Sequence, residues 1–448
     1  MHWTGSNVWR FRPSRIGRPT VAVAAVVLAV VSATSCSGAG SGTSAPARIV
    51  ATPSTALFDA PVSVTITGLP AGAPTTVTAT TQDARGATWS SSAKFTADSS
   101  GRLSLSQPST GGSYLGPDPM GLFETLAPAH PLATNIAGVS PFPFPTTSMD
   151  VALAASVNGR TVASGTVIRD RVPANAKKLT LAATGIYGSL YLPAQPSGPK
   201  PAVLVLGGSE GGLSTSLQAA LLAAHGYPAL ALAYFGVPGL PPTLHNIPLE
   251  YFVTALTLLA TQPGVDPHHL LVWGASRGSE AALLVGAHYP QLVHGVIATV
   301  PSGVVNAGYP PTEPPQPAWT LGGTPLPFAT RADYQRHDIT VTSNLVIPVE
   351  QINGPIFLLC AGQDRIWLSC DYTHLITTRL SANHFTHPVT ALTYPAAGHL
   401  AGTLLPYLPF TGAPSPTNTL TKTGGTELAD EQAHADAWPK LLTFLAHQ

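Results

Sequence analysis

The sequence predicts an α/β protein, a mostly parallel sheet with helices on both faces, preceded by an all-β region. Two observations carry this prediction. From about residue 174 onward, short apolar runs alternate with segments of helical period, as in parallel strands joined by crossover helices. From residue 48 to 173, runs of period two are separated by turn residues, without a helical pattern of comparable strength. At 448 residues, the chain is long enough for two domains.

The N-terminal 36 residues have the pattern of an export signal. Four arginines between Arg10 and Arg18 precede an apolar run, Val21 to Val31, that is shorter than the roughly 20 residues of a membrane-spanning helix. The run ends in Ala33-Thr34-Ser35-Cys36, which resembles the bacterial lipobox, where the Cys is diacylated after cleavage. We expect a lipid anchor on Cys36 at the outer face of a bacterial cell membrane; the alternative is ordinary cleavage and secretion. Residues 37–47 are rich in Ser and Gly and suit a flexible tether.

The all-β region is predicted to be a β-sandwich. Residues Val62 to Thr67 alternate with period two, residues 70–74 interrupt the pattern with prolines and Gly72, and Thr75 to Thr80 resume it. Short strands separated by turns are typical of two packed antiparallel sheets. No residue in this region carries recognisable chemistry.

The second region, residues 174–448, begins its core with Ala202–Leu206, a continuous apolar run typical of a fully buried strand. Further strands are predicted at Ala229–Tyr234, Leu270–Trp273, Gly295–Val300, Pro355–Cys360 and Pro388–Tyr394, and helices at Leu217–Ala224, Leu249–Ala260, Ser279–His288 and Glu427–His447. Residues 303–346 are rich in Pro and aromatic residues and lack a clean period, so we expect an insertion that caps the C-terminal edge of the sheet.

Two segments match Gly-x-Ser-x-Gly: Gly207 to Gly211 and Gly274 to Gly278. One match alone is weak evidence in a chain with 42 glycines, and an inert serine in a strand-to-helix turn is the alternative. In the α/β-hydrolase arrangement the nucleophile follows the fifth strand, and a loop after the third strand supplies an oxyanion-hole N–H. If two strands precede Pro193, Ser276 follows the fifth strand and Ser209 follows the third. We therefore predict that Ser276 is the nucleophile.

The partners of the nucleophile are predicted from their order along the chain. The triad of this fold runs serine, acid, histidine, and Asp364 and His399 each follow a predicted strand across a short turn. His399 would accept the proton of Ser276, and Asp364 would orient and stabilise the imidazole. The oxyanion would lie between the backbone N–H of Arg277 and an N–H from Gly208 or Ser209; the sequence leaves the choice open.

Other polar residues near these motifs have two interpretations each. Glu280 either supports the turn at Ser276 or is an acidic residue favoured in the first turn of a helix, and Glu210 is similarly ambiguous. Cys360 and Cys370 either form a disulfide in an oxidising compartment or remain thiols, Cys360 then being a small core residue. No spacing of Cys, His and carboxylates suggests a metal site, so no metal or other cofactor is expected.

The charge composition argues against nucleic-acid binding. Lys plus Arg number 21, as do Asp plus Glu, and charged residues make up 9% of the chain, so no basic field exists to attract nucleic acid.

Several longer motifs resemble the acyl-CoA thioester hydrolase and bile acid-CoA:amino acid N-acyltransferase family. They are Leu57-Phe-Asp-Ala-Pro-Val, Trp89 to Asp98, Gly111 to Leu122, Gly208-Ser-Glu-Gly-Gly-Leu, Leu249-Glu-Tyr-Phe, Gly274 to Glu280, Ile347 to Pro355 and Gly424-Gly-Thr. The resemblance implies an immunoglobulin-like sandwich, an α/β-hydrolase body, and a triad on Ser276, Asp364 and His399. It also implies a small-molecule acyl thioester or ester as substrate.

Three functions follow as expectations. The first is hydrolysis of an acyl thioester or ester, because family members that conjugate amino acids tend to use Cys, whereas thioester hydrolases use Ser. The second is acyl transfer to an amine or alcohol. The third is a surface binding lipoprotein without catalysis, against which the intact Ser, Asp and His argue.

Overall fold

The computed structural model describes residues 46–130, 142–145, 148–170, 177–195, 198–330, 333, 344–409 and 419–448. Cys36, the predicted export segment and nearly all of the tether lie outside the described residues. The expected boundary at residues 173–174 and part of the expected cap also lie outside them. No helix of the described part is both long and apolar enough to cross a bilayer.

The described residues of the N-terminal region form two β-sheets. Its strands are β1 Arg48–Thr52, β2 Thr55–Leu57, β3 Ser63–Thr67, β4 Pro74–Gln82, β5 Thr88–Thr96, β6 Leu103–Ser104, β7 Gly111–Gly112, β8 Ala127–Pro128, β9 Ser148–Val157 and β10 Arg160–Asp170. One sheet has the order β1-β3-β6 and the other β2-β10-β9-β4-β5-β7, with β8 paired to β5. All pairs are antiparallel except β2 with β10. Buried residues alternate along β4 and β5, as the period of two predicted.

The N-terminal sheets and the C-terminal region share a hydrophobic core. Apolar side chains of β3, β4, β5 and β9 belong to the same cluster as Trp273 and Trp438. The buried carboxylate of Asp59 also crosses this junction: its Oδ2 accepts a hydrogen bond from Trp438 Nε1 at 2.7 Å and lies 2.5 Å from His225 Nε2. The N-terminal sheets are therefore packed against the body through both apolar and polar contacts.

The C-terminal region is built on an eight-stranded sheet of order β11-β12-β14-β13-β16-β17-β20-β21. These strands are β11 Lys177–Leu179, β12 Tyr187–Tyr191, β13 Lys200–Leu206, β14 Ala229–Ala233, β16 Val265–Ala275, β17 Val296–Thr299, β20 Ile356–Ala361 and β21 Val389–Tyr394. The pairs β11–β12 and β12–β14 are antiparallel, and the others are parallel. The predicted order along the chain is confirmed: of the strands of this sheet, β13 is the third in sequence and β16 the fifth.

The helices of the described residues are α1 Gly121–Glu124, α2 Leu181–Thr184, α3 Ser216–Ala224, α4 Leu249–Ala260, α5 Arg277–His288, α6 Ser369–Ala382 and α7 Glu427–Ala446, with 3-10 turns at Val349–Gln351 and His399–Thr403. The helix α6 was not predicted. Its apolar residues Tyr372, Ile376 and Leu380 are buried four positions apart among Ser, Thr and Asp residues, so its pattern is weak.

The described part of the expected insertion folds back on the segment before α4. Strands β18 Trp319–Leu321 and β19 Thr324–Pro325 form a hairpin, and β18 pairs in parallel with β15 Ile247–Pro248. Its expected role as a cap over the sheet edge stays a prediction.

Candidate active site

Ser276 lies at the turn between β16 and α5. Its φ of 55° is in the left-handed region, which is uncommon for a residue with a side chain, and its N–H donates to Thr299 O at 3.0 Å. Such local strain is often found at functional sites and persists only where the surrounding structure imposes it. The turn leaves the Ser276 side chain half-buried at the C-terminal end of the central strands.

Two glycines make this turn sterically feasible. A Cβ atom at Gly274 would lie 1.9 Å from Gly278 O, and one at Gly278 would lie 2.4 Å from Gly207 O. Both obstacles are backbone atoms, which cannot rotate away. The flanking glycines of the motif therefore allow α5 to start directly behind the strand and against the loop that follows β13.

The structure brings Ser276, His399 and Asp364 together in one hydrogen-bonded chain. Ser276 Oγ lies 2.8 Å from His399 Nε2, and His399 Nδ1 lies 2.8 Å from Asp364 Oδ2. Asp364 is almost fully buried, with 1% of its side chain exposed, and the His399 side chain is 11% exposed. If Nδ1–H donates to Asp364, Nε2 has a free lone pair for the proton of Ser276.

The loop after β20 holds the Asp364 carboxylate. Asp364 Oδ1 accepts hydrogen bonds from the N–H groups of Ile366 at 2.9 Å and Trp367 at 3.3 Å. The indole of Trp367 packs edge-on against the His399 ring, with centroids 5.7 Å apart, and its Nε1–H donates to Val300 O at 3.1 Å. Trp367 therefore contacts the imidazole while its own backbone orients the carboxylate. No pattern in the sequence marks Trp367 as part of the site.

Cys360 and Cys370 are joined by a disulfide. Of the two outcomes that the sequence left open, the structure has the disulfide. The closed loop contains Asp364 and Trp367, so the disulfide connects the end of β20 to the start of α6 around the acidic residue.

A second pair of glycines, Gly424 and Gly425, packs against the loops that carry Asp364 and His399. Thr423 O accepts hydrogen bonds from Arg365 N at 3.2 Å and His399 N at 2.9 Å. A Cβ atom at Gly424, whose φ is 75°, would lie 1.7 Å from Gln363 O. This pair belongs to the Gly424-Gly-Thr motif noted in the sequence, and its close packing explains the glycine there.

Two backbone amides of the loop after β13, those of Gly208 and Ser209, differ in whether they already donate a hydrogen bond. Gly208 N–H already donates to Glu210 Oε1 at 2.9 Å. In the described part of the chain, neither Ser209 N nor Arg277 N has a hydrogen-bond acceptor. Of the two residues between which the sequence could not choose, this arrangement favours Ser209. Glu210, whose role was ambiguous, holds the loop by also accepting from Ser214 Oγ at 2.5 Å.

Glu280 is fully buried and anchors the insertion to α5. Its carboxylate accepts from the backbone and side-chain amides of Asn306 at 2.8 and 2.7 Å and from Trp319 Nε1 at 2.6 Å. Arg277 Nη1 lies 3.2 Å from Glu280 Oε2, and the guanidinium lies over the Trp319 ring. Burial raises the pKa of Glu280, and Arg277 opposes that shift. Glu280 lies in the first turn of α5 and also contacts Arg277, which follows Ser276, so both of its interpretations stay predictions.

Among the described residues, no group of three or more His, Cys, Asp or Glu side chains is arranged to hold a metal ion.

The strand order, the strained serine turn and the serine–histidine–aspartate chain define an α/β-hydrolase. Among solved structures, a puromycin-hydrolyzing peptidase of Mycobacterium tuberculosis aligns with a TM-score of 0.41 and 14% identity over 82% of this chain and 53% of that one. A similarity this low supports no conclusion about activity.

The comparisons identify the family. Residues 59–182 match the family model described as the acyl-CoA thioester hydrolase/BAAT N-terminal region, and residues 247–448 match the BAAT/acyl-CoA thioester hydrolase C-terminal model. The chain is 33% identical to mouse acyl-coenzyme A amino acid N-acyltransferase 1 over 79% of this chain and 86% of that protein. It is 29% identical to mouse peroxisomal succinyl-coenzyme A thioesterase and to human acyl-coenzyme A thioesterase 1, in each case over 86% of this chain and 93% of the relative. The chain belongs to the acyl-CoA thioester hydrolase and bile acid-CoA:amino acid N-acyltransferase family.

Proposed function

We propose that this chain hydrolyses acyl thioesters or esters through an acyl-enzyme on Ser276. The observation that carries the proposal is the hydrogen-bonded chain from Ser276 through His399 to Asp364, in a protein whose family contains thioesterases. A serine hydroxyl is a weak nucleophile at neutral pH, and an adjacent imidazole is the group that activates it.

In the proposed reaction, His399 takes the proton of Ser276 Oγ as this oxygen attacks the acyl carbonyl carbon. The protonated imidazole, stabilised by Asp364, then gives the proton to the leaving thiol or alcohol as the carbon–sulfur or carbon–oxygen bond breaks. His399 then deprotonates a water molecule, which attacks the acyl carbonyl carbon of the acyl-enzyme. The bond from this carbon to Ser276 Oγ breaks, and the imidazole gives its proton to Oγ as the free acid leaves. The N–H groups of Arg277 and Ser209 stabilise both tetrahedral oxyanions, and losing one such donor typically slows turnover about 10² to 10³-fold.

A fluorophosphonate probe tests the nucleophile directly. The wild type should be labelled and Ser276→Ala should not. Ser209→Ala is the matched control from the other Gly-x-Ser-x-Gly segment, and it should retain most labelling because its backbone amide, not its hydroxyl, is the proposed participant. Equal labelling of the wild type and Ser276→Ala would refute the assignment.

Acyl transfer is the second candidate, because the 33% identical relative is named an amino acid N-acyltransferase. The two reactions share the acyl-enzyme and differ in what attacks it. The discriminating experiment gives purified protein acyl-CoA and simple acyl esters of graded length, with and without amino acids or alcohols as acceptors. Free acid in every reaction supports hydrolysis, whereas a conjugate formed at the expense of free acid supports transfer.

We also propose export and lipid anchoring through Cys36, supported by the arginines, the apolar run and the lipobox-like residues. An exported enzyme would not meet the cytosolic pool of acyl-CoA, which is why the substrate series includes simple esters. Expression in a bacterial host should yield a membrane-bound protein whose N-terminal Cys carries lipid by mass spectrometry. Cys36→Ala should be released from the membrane; unchanged membrane retention with an unmodified Cys36 would contradict the proposal.

The immunoglobulin-like character of the N-terminal sheets is likewise a proposal. Its support is the family resemblance together with two β-sheets that share one core.

A further inference from the structure

The C-terminal helix α7 places a buried carboxylate against the residue that precedes His399. Asp430 is 2% exposed, and its Oδ1 accepts a hydrogen bond from Gly398 N at 2.6 Å. Its other oxygen, Oδ2, is also buried and has no hydrogen-bond partner among the described residues. Asp430 lies outside the serine–histidine–aspartate chain, so the proposed reaction does not yet use it.

The backbone at Gly398 and His399 is closely packed, and both of its amides donate hydrogen bonds. Gly398 is so close to Gly424 that a Cβ atom on Gly398 would lie 2.0 Å from Gly424 O. His399 N donates to Thr423 O at 2.9 Å, and Gly398 N donates to Asp430. Two hydrogen bonds on successive amides therefore fix the peptide that carries the imidazole. The acceptor for His399 N is a backbone carbonyl, whereas the acceptor for Gly398 N is the ionisable carboxylate of Asp430.

The surroundings make the charge of Asp430 sensitive to pH near neutrality. Burial raises the pKa of Asp430 to about 7, with Glu427 on α7 and Asp364 across the loop adding to the shift. His434 on α7 opposes the shift, and burial lowers the pKa of His434 itself. Glu431, the next residue on α7, is fully buried and its pKa is also raised by burial. An ionised carboxylate is a stronger hydrogen-bond acceptor than a carboxylic acid, so the bond to Gly398 strengthens as Asp430 loses its proton.

We propose that Asp430 is a positioning residue for His399, acting through its hydrogen bond to the Gly398 amide. It does not touch the substrate or Ser276. It holds the peptide before His399 so that Nε2 stays within hydrogen-bond distance of Ser276 Oγ. This inference rests on the proposed role of His399 and adds a residue from a different element to the site.

Two variants distinguish the effect of the hydrogen-bond acceptor at Asp430 from the effect of its negative charge. Asp430→Ala removes the acceptor, and we expect fluorophosphonate labelling to become about 10 to 10² times slower, since a displacement of about 1 Å can cost 10²-fold. Asp430→Asn keeps a carbonyl oxygen that can accept from Gly398 N–H, and we expect labelling near pH 7 within about threefold of wild type. Glu431→Gln is the control, because it changes an equally buried carboxylate that is paired with His434, whereas Asp430 accepts from the Gly398 amide; it should label like the wild type.

The pH profile provides a readout that a purely structural role would not move. The rate of labelling is measured as a function of pH in every active variant. The wild type and Glu431→Gln should show an inflection near pH 7 from Asp430, and Asp430→Asn should lack it. If Asp430→Ala does not fold, this comparison alone decides the question.

Three results would overturn the inference: wild-type labelling by Asp430→Ala, equal slowing in the Ala and Asn variants, or identical pH profiles of the wild type and Asp430→Asn. A wild type that does not react at Ser276 would instead refute the proposed function. The two failures are therefore distinguishable.

Discussion

Replacing Gly278 with Ala tests whether the contact between α5 and the loop after β13 builds the oxyanion site. The added Cβ would lie 2.4 Å from Gly207 O and 2.6 Å from Leu206 O. Both are backbone atoms at the end of β13, directly before the loop that carries Ser209. The start of α5 carries Ser276 and the Arg277 amide. The substitution therefore forces apart the two segments that supply the proposed oxyanion donors.

The size of the effect follows from the distances. To reach 3.0 Å, the shortest separation that real Cβ atoms show, the two segments must separate by about 0.6 Å. Displacements of about 1 Å cost up to 10² in rate, so labelling of Ser276 should slow by about 10 to 10²-fold. Overpacking costs about 1–3 kcal/mol, and replacing a helical Gly with Ala returns about 0.5–1 kcal/mol. We expect a net loss of at most about 2.5 kcal/mol in the free energy of unfolding.

Gly286→Ala is the matched control on the same helix. Its Cβ would meet Val296 Cγ2 at 2.6 Å and Ile352 Cγ1 at 3.3 Å, which are side-chain atoms remote from the oxyanion loop. This variant should lose stability to a similar extent and keep the wild-type labelling rate. Denaturant unfolding gives the stability of each variant, and fluorophosphonate labelling is then measured where all of them are folded.

Wild-type labelling by a folded Gly278→Ala would refute the reasoning, because it would mean that the spacing of the two segments does not control the site. Equal slowing in both glycine variants would also refute it, because the loss would then reflect stability alone.

Three further predictions concern other parts of the site. Asp364→Asn should fold and lose about 10⁴ in kcat because the imidazole is held in the wrong tautomer; hydrolysis of the best substrate measures this, and a loss below tenfold would contradict the role of the acid. Opening the disulfide with Cys360→Ser plus Cys370→Ser should cost about 2–3 kcal/mol of stability, given the short loop it closes, and slow labelling, since the loop carries Asp364; unchanged labelling in the folded variant would show that the loop holds its shape unaided. Glu280→Ala should destabilise the protein by about 3–5 kcal/mol, because it leaves the buried Arg277 guanidinium without its carboxylate; thermal unfolding close to that of the wild type would show that the ion pair contributes little.

Much of the fold was predictable because its signals are local. A strand buried on both faces, such as Lys200–Leu206, is a continuous apolar run, and the turn at Ser276 needs small residues on both sides. Helix α6 was missed because its buried face has only three apolar residues, which are set among polar ones. Once the strand order was counted, the sequence alone selected Ser276 over Ser209. It also predicted Asp364 and His399, because both follow strands whose ends meet at one edge of the sheet.

Tertiary structure alone decided the contacts between distant segments. A backbone N–H is present at almost every residue, so only the folded loop shows that Gly208 donates to Glu210 while Ser209 does not. The choice between thiols and a disulfide depended on the position of α6 beside β20. The contact of Asp430 with Gly398 joins residues 32 positions apart, and no local pattern marks it. The sequence thus determined which residues have the chemistry for the reaction, whereas packing determined which backbone groups hold them, because those groups carry no side-chain signature.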